Sequence, residues 1–121
     1  MIRVLIGDDH PVVREGLKRI LSGAPDMTVV ADVATSEEVL SRSARGDVDV
    51  VLLDIGMPGP GFLETLRRLA AGRPRVLVLS VHPEDQYAVR AFQAGAAGYL
   101  TIDHAPADLL TAVRRVAGGG T

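Results

Sequence analysis

Val48–Asp54 reads VDVVLLD and Arg75–Ser80 reads RVLVLS. Both runs are almost continuously apolar, the pattern of strands covered on both faces. Such strands need helices on either side, and helical patterns flank them. Working outward, Ile2–Gly7 (IRVLIG) and Met27–Ala34 (MTVVADVA) read as two earlier strands, and Gly98–Thr101 (GYLT) as a short fifth.

The intervening helices are amphipathic, with recognisable ends. The first places Val13, Leu17, Ile20 and Leu21 on one stripe, with Pro11 in its opening turn. The second opens on the capping-box pair Thr35 and Glu38 and stops near Gly46. The third turns Leu63, Leu66 and Ala70 inward and ends near Gly72. The fourth follows Pro83, carries Tyr87, Ala88, Ala91 and Phe92, and ends at Gly95. The fifth follows Pro106 and aligns Leu109, Val113 and Val116. Five βα units in 121 residues predict an α/β fold, a doubly wound five-stranded parallel sheet in the order 2-1-3-4-5. Residues 1–117 read as one domain, and 118–121 as the start of a linker.

Composition narrows the function. Hydrophobic residues make up 47% and charged residues 23%, which excludes a disordered chain. The net charge of −2 argues against nucleic-acid binding by this domain. With no cysteine, disulfides, thiolate catalysis and cysteine-ligated zinc are excluded. No apolar run reaches the roughly 20 residues of a membrane helix, and no signal-peptide pattern opens the chain, so a cytoplasmic location is expected. Lys18 is the single lysine.

In an open parallel sheet, ligands bind beyond the carboxyl ends of the strands where strand order reverses, here between the first and third strands. Asp8 and Asp9 close the first and Asp54 closes the third. Three carboxylates crowded into one crevice call for a divalent cation or take up protons. Oxygen ligands favour a hard ion, Mg²⁺. The bland alternative has Asp8 and Asp9 capping the next helix and Asp54 opening a turn. Ser80, ending the fourth strand, is placed to contact a phosphoryl oxygen over Asp54, or merely ends a strand. The Pro/Gly-rich turn from Gly56 to Gly61 offers the Gly56 carbonyl as a further metal ligand. It is no P-loop, and no GxGxxG follows the first strand. His10, His82 and His104 match no metal spacing and read as solvated loop residues. Arg67-Arg68 and Arg114-Arg115 read as exposed helix faces. A Mg²⁺-dependent phosphohydrolase is disfavoured, because 121 residues leave no cap domain to enclose a substrate.

Four segments, IRVLIGDDHP (Ile2–Pro11), VLLDIGMPG (Val51–Gly59), VLVLS (Val76–Ser80) and AGAAGYL (Ala94–Leu100), together resemble the receiver domain of two-component response regulators. The run DDHPVVREGL is similar to the NarL/FixJ (LuxR-type) subfamily. The resemblance spans essentially the whole chain and implies the flavodoxin-like (βα)5 receiver fold. It implies a signalling protein rather than a turnover enzyme. Asp54 becomes the phosphoacceptor, served by a sensor histidine kinase or by acetyl phosphate. Asp9, Asp54 and the Gly56 carbonyl hold Mg²⁺, with Asp8 helping directly or through water. Ser80 moves toward the new phosphoryl group and Tyr99 swings inward as the switch. A homodimer is implied, through the first and fifth helices or through the fourth-helix to fifth-helix face. DNA contact is implied through a helix-turn-helix domain beyond this segment.

The chain departs from the family where a lysine is expected three residues after the switch aromatic. Ile102 stands there. Losing that ammonium predicts a stronger dependence on protons and Mg²⁺, and a weaker transmission to the switch face. It also opens an alternative, a phosphorylation-independent interaction or dimerisation module. Phe62, where glycine is common, alters only the start of the third helix.

Overall fold

The computed structural model describes residues 1–57, 61–80, 85–101 and 106–119, with backbone alone for 85–87. Its elements alternate as expected: β1 (Ile2–Gly7), α1 (Pro11–Ser22), β2 (Met27–Val33), α2 (Ser36–Ser43), β3 (Val50–Asp54), α3 (Phe62–Ala70), β4 (Arg75–Ser80), α4 (Asp85–Gln93), β5 (Gly98–Thr101) and α5 (Pro106–Ala117). The strands form one parallel sheet in the order β2-β1-β3-β4-β5.

Side-chain alternation along the strands divides the core in two. Val4, Ile6, Val50, Leu52, Leu77 and Leu79 point to one face and meet Leu17 and Leu21 of α1 and Leu109, Val113 and Val116 of α5. Leu5, Val51, Leu53, Val76 and Val78 point to the other and meet Val39 of α2, Leu66 and Leu69 of α3 and Ala91 of α4. This is why the centres of the two runs, Val50–Leu53 and Val76–Leu79, are wholly apolar: both faces of the sheet are covered there.

The helix ends follow local chemistry. The Thr35 Oγ1 accepts from the Glu38 N–H at 3.2 Å, the N-cap half of a capping box, and donates to the Glu38 carboxylate at 3.0 Å. Pro11 sits at the start of α1, where its missing N–H has no helical partner to lose.

Some details differ from the sequence reading. The buried face of α3 is Thr65, Leu66 and Leu69, whereas Ala70 is exposed and Leu63 half-buried. In α4, Ala91 is fully buried but Phe92 is 45% exposed. β3 begins at Val50, two residues later than expected, and β2 ends at Val33. Pro83 lies outside the described residues, as does the side chain of Tyr87.

Gly95 closes the α4–β5 turn with φ +111°, a region that favours glycine, and a Cβ there would lie 2.4 Å from the Ala70 Cβ. Backbone strain and overpacking therefore act together. Gly95→Ala is expected to lower stability by about 2–4 kcal/mol in urea unfolding. A variant within about 0.5 kcal/mol of the parent, the range of an ordinary surface substitution, contradicts this packing.

Candidate functional site

The register of the sheet brings the acids together. Gly7 of β1 lies opposite Leu53 of β3, so Asp8 and Asp54 follow at the same carboxyl edge. A Cβ on Gly7 would lie 2.7 Å from Val39 Cγ2 and 3.1 Å from Met57 Cε. A glycine at the end of β1 therefore leaves room for Val39 of α2 and for the Met57 side chain to close over it.

Asp8 is 2% exposed. Its Oδ1 accepts from the backbone N–H of His10 at 2.8 Å and stands 3.1 Å from His10 Nδ1, while its carbonyl accepts from Arg14 at 2.8 Å. His10 Nδ1 also stands 3.1 Å from Asp9 Oδ1 and 4.0 Å from Asp54 Oδ2. The Asp54 side chain is 15% exposed and that of Asp9 29%. One ligand atom from each of Asp8, Asp9, His10 and Asp54 lies within 4.8 Å of all the others.

The capping alternative fits poorly. The N-cap of α1 is His10, and no side chain caps that terminus. Asp8 is tied to the backbone of His10, but Asp9 Oδ1 and Asp54 Oδ2 are buried with no hydrogen-bond partner. His10 Nδ1 is the group beside both, and a single ring nitrogen offers one hydrogen at most, so oxygens crowded in this way are costly unless a cation satisfies them. Burial and then the charges of Asp8 and Asp9 push the Asp54 carboxyl up from 3.8 to about 6, against a backbone hydrogen bond from Gly56 and the nearby His10. The His10 imidazole is held above its ordinary value, first by its hydrogen bond to Asp8 and then by the charge of Asp9. The carboxylate oxygens of this cluster fit a hard divalent ion such as Mg²⁺.

Ser80 ends β4 and is 2% exposed, and the adjoining Leu79 pairs with Asp54 in the sheet. Tyr99 lies farther off. It pairs with Val78 on the edge strand β5, packs against the α2–α3–α4 side of the core, and lines a cavity of about 340 Å³ with Phe92, Leu100 and Arg115. Ile102, His82, His104 and the turn residues 58–60 lie outside the described residues. Arg67, Arg68, Arg114 and Arg115 are exposed, as their spacing predicts. Arg68 pairs with Glu64, and Arg114 with Asp26.

His10 is the member of the cluster that the sequence reading assigned to solvent. Its side chain is 65% exposed, yet its Nδ1 turns into the acids. The available signal was adjacency, since His10 follows two crevice acids and precedes the proline that fixes the start of α1.

Comparison with known proteins agrees with this architecture. A family model described as the response regulator receiver domain matches residues 4–114. Response regulator UvrY of Escherichia coli K12 is 40% identical over 121 residues, covering 98% of this chain and 56% of that protein. The nitrate/nitrite response regulator protein NarL of the same organism is 42% identical over 120 residues, covering 96% and 55%. The chain thus spans about half the length of the curated relatives it matches. Among solved structures, a LuxR-family two-component response regulator from Aurantimonas sp. SI85-9A1 superposes with a TM-score of 0.91 at 36% identity, covering 98% of this chain and 86% of that one.

Proposed function

From the premise that this chain belongs to the response regulator receiver family, we propose that it accepts a phosphoryl group on Asp54 in a Mg²⁺-dependent reaction and signals through the face carrying Tyr99. The observation that carries this reading is the convergence of Asp8, Asp9 and Asp54 at adjoining strand ends, with one oxygen of each within 4.8 Å of the others.

In the proposed reaction an Asp54 oxygen attacks phosphorus. The bond from phosphorus to the donor's leaving atom breaks, and the electron pair departs with the imidazole of a kinase phosphohistidine or with the acetate of acetyl phosphate. With its carboxyl near 6, Asp54 is mostly ionised at pH 7 and available as nucleophile. Mg²⁺, held by Asp9, Asp54 and the Gly56 carbonyl with Asp8 in support, would neutralise charge on the phosphoryl oxygens. Ser80, buried beside that edge, takes a phosphoryl oxygen after transfer. Tyr99 answers by changing its packing, which alters the surface formed by α4, β5 and α5.

A sensor histidine kinase is the proposed donor partner. Output is proposed through homodimerisation and through a DNA-binding domain of the relatives' kind, all in the cytoplasm. No described helix is long and apolar enough to cross a membrane. The test is incubation with acetyl phosphate and Mg²⁺, followed by intact mass measurement and peptide mapping. A phosphoryl increment on the Asp54 peptide supports the proposal, and an unlabelled chain or a label elsewhere refutes it.

Ile102 in place of the family lysine carries its own prediction. Ile102→Lys supplies an ammonium that offsets the crowded acids, so phosphorylation should depend less on Mg²⁺, with the labelling that remains in chelator rising several-fold. The phosphorylation-dependent shift of the Tyr99 resonances should grow. If the labelling rate, its Mg²⁺ dependence and the Tyr99 response all match the parent, the lysine position has no such role here.

A further inference from the structure

We infer that His10 is a nitrogen ligand of the acidic site and sets its preference toward divalent transition ions over Mg²⁺. The inference rests on the reading of Asp8, Asp9 and Asp54 as a divalent-metal site and adds a ligand of different chemistry.

The separations of the His10 nitrogen from the three acids match those within a coordination shell. Around a six-coordinate ion with bonds of about 2.1 Å, neighbouring ligand atoms are about 3.0 Å apart and opposite ones about 4.2 Å apart. His10 Nδ1 stands 3.1 Å from Asp8 Oδ1, 3.1 Å from Asp9 Oδ1 and 4.0 Å from Asp54 Oδ2. Those are two neighbouring separations and one close to opposite. A neutral imidazole carries at most one hydrogen on Nδ1, so it cannot satisfy Asp8 and Asp9 together, and Asp9 Oδ1 is left without a hydrogen-bond partner. The four ligand atoms lie within 4.8 Å of one another, so small side-chain rotations bring all of them to one ion.

The ring is also held in place. The Asp8 carboxylate binds the His10 backbone N–H at 2.8 Å, and Pro11 begins the helix immediately after it. The rest of the ring is 65% exposed, so nothing in the core must move for Nδ1 to bind an ion. Imidazole suits nickel and zinc, whereas carboxylate and carbonyl oxygens suit magnesium. A site with three carboxylates and one imidazole therefore ranks ions differently from one with oxygens alone.

The test uses the full chain in metal-free buffer near pH 7.5, titrated separately with Ni²⁺ and Mg²⁺ by calorimetry. Wild type, His10→Ala and Asp54→Ala are compared. The wild type should bind Ni²⁺ at least about 100-fold more tightly than Mg²⁺, and His10→Ala should reduce that ratio about tenfold or more. With one equivalent of Zn²⁺, the ¹⁵N resonance of His10 Nδ1 should shift to a metal-bound position. An unchanged ratio in His10→Ala, or a His10 nitrogen that ignores Zn²⁺, overturns the inference and leaves the receiver reading intact. Ni²⁺ that binds Asp54→Ala as tightly as wild type lies outside this crevice and also overturns it. If the wild type binds neither Mg²⁺ nor Ni²⁺ here, the metal-site reading itself fails.

Discussion

Asp54→Ala is expected to lose all labelling by acetyl phosphate, while the wild type is labelled once and loses its label when Mg²⁺ is chelated. Neither remaining acid is an adequate substitute. Asp8 is 2% exposed, and its Oδ1 is already engaged by the His10 backbone. Asp9 follows β1 beside His10, and the proposal commits it to the ion. Asp54 combines an orphaned oxygen with a position at the end of β3, next to Leu79 and so close to Ser80. Without a cation, an anionic phosphoryl donor meets three carboxylates, and that repulsion is strong in a partly buried crevice. Chelation should slow labelling at least about 100-fold, equivalent to a barrier rise of roughly 3 kcal/mol. Asp9→Asn, which removes one charge from the shell, should lower Mg²⁺ affinity about tenfold or more. Rapid labelling in chelator would contradict the proposed role of the ion, and labelling of Asp54→Ala would contradict the proposed nucleophile.

Asp54→Asn is expected to make the metal-free protein more stable at pH 7, by about 2–3 kcal/mol. The folded state raises the Asp54 carboxyl to about 6 from 3.8. Between those values the folded chain holds a proton that the unfolded chain has released. Stability therefore falls as pH rises through that window and is fully diminished above it. Asparagine has no such proton to lose, so its advantage should be near zero at pH 4, grow up to about pH 6, and level off. For a domain of this size the gain corresponds to roughly 10 °C in the melting temperature. Saturating Mg²⁺ should narrow the difference, because it stabilises the wild type by mass action and binds the asparagine variant less well. An advantage of the same size at every pH would point to packing instead of charge.

The fold was legible because its decisive signals are local. The centres of VDVVLLD and RVLVLS are four-residue runs that are wholly apolar, and Thr35 with Glu38 writes the start of α2 into four residues. Helix faces were harder to place. On α3, Leu63-Leu66-Ala70 and Thr65-Leu66-Leu69 both fit a helical period. The choice depends on which face of α3 meets the sheet, where Leu66 and Leu69 pack with β3 and β4, and no periodicity reveals that. Phe92 is large and apolar, yet only Ala91 beside it fits against the sheet, a matter of spacing between α4 and β4.

The acidic crevice was legible for a related reason. Carboxylates at the ends of strands that switch order must meet if the sheet order holds, and the register places Asp8 and Asp54 at one edge. His10 was not legible in this way. Its backbone position is on a solvent-facing turn, and only the turn of its side chain brings Nδ1 among the acids. The orphaned oxygens on Asp9 and Asp54 likewise depend on atomic hydrogen-bond geometry that a sequence does not carry.

Neighbouring carboxylates crowd Asp54, and the proposed reaction needs a divalent cation to relieve that crowding. The most direct measurement is a pH titration of the Asp54 carboxyl carbon by ¹³C NMR, with and without Mg²⁺. The account predicts a midpoint near 6 in metal-free protein, moving down as Mg²⁺ is added. A midpoint near 3.8 that Mg²⁺ leaves unmoved would contradict it.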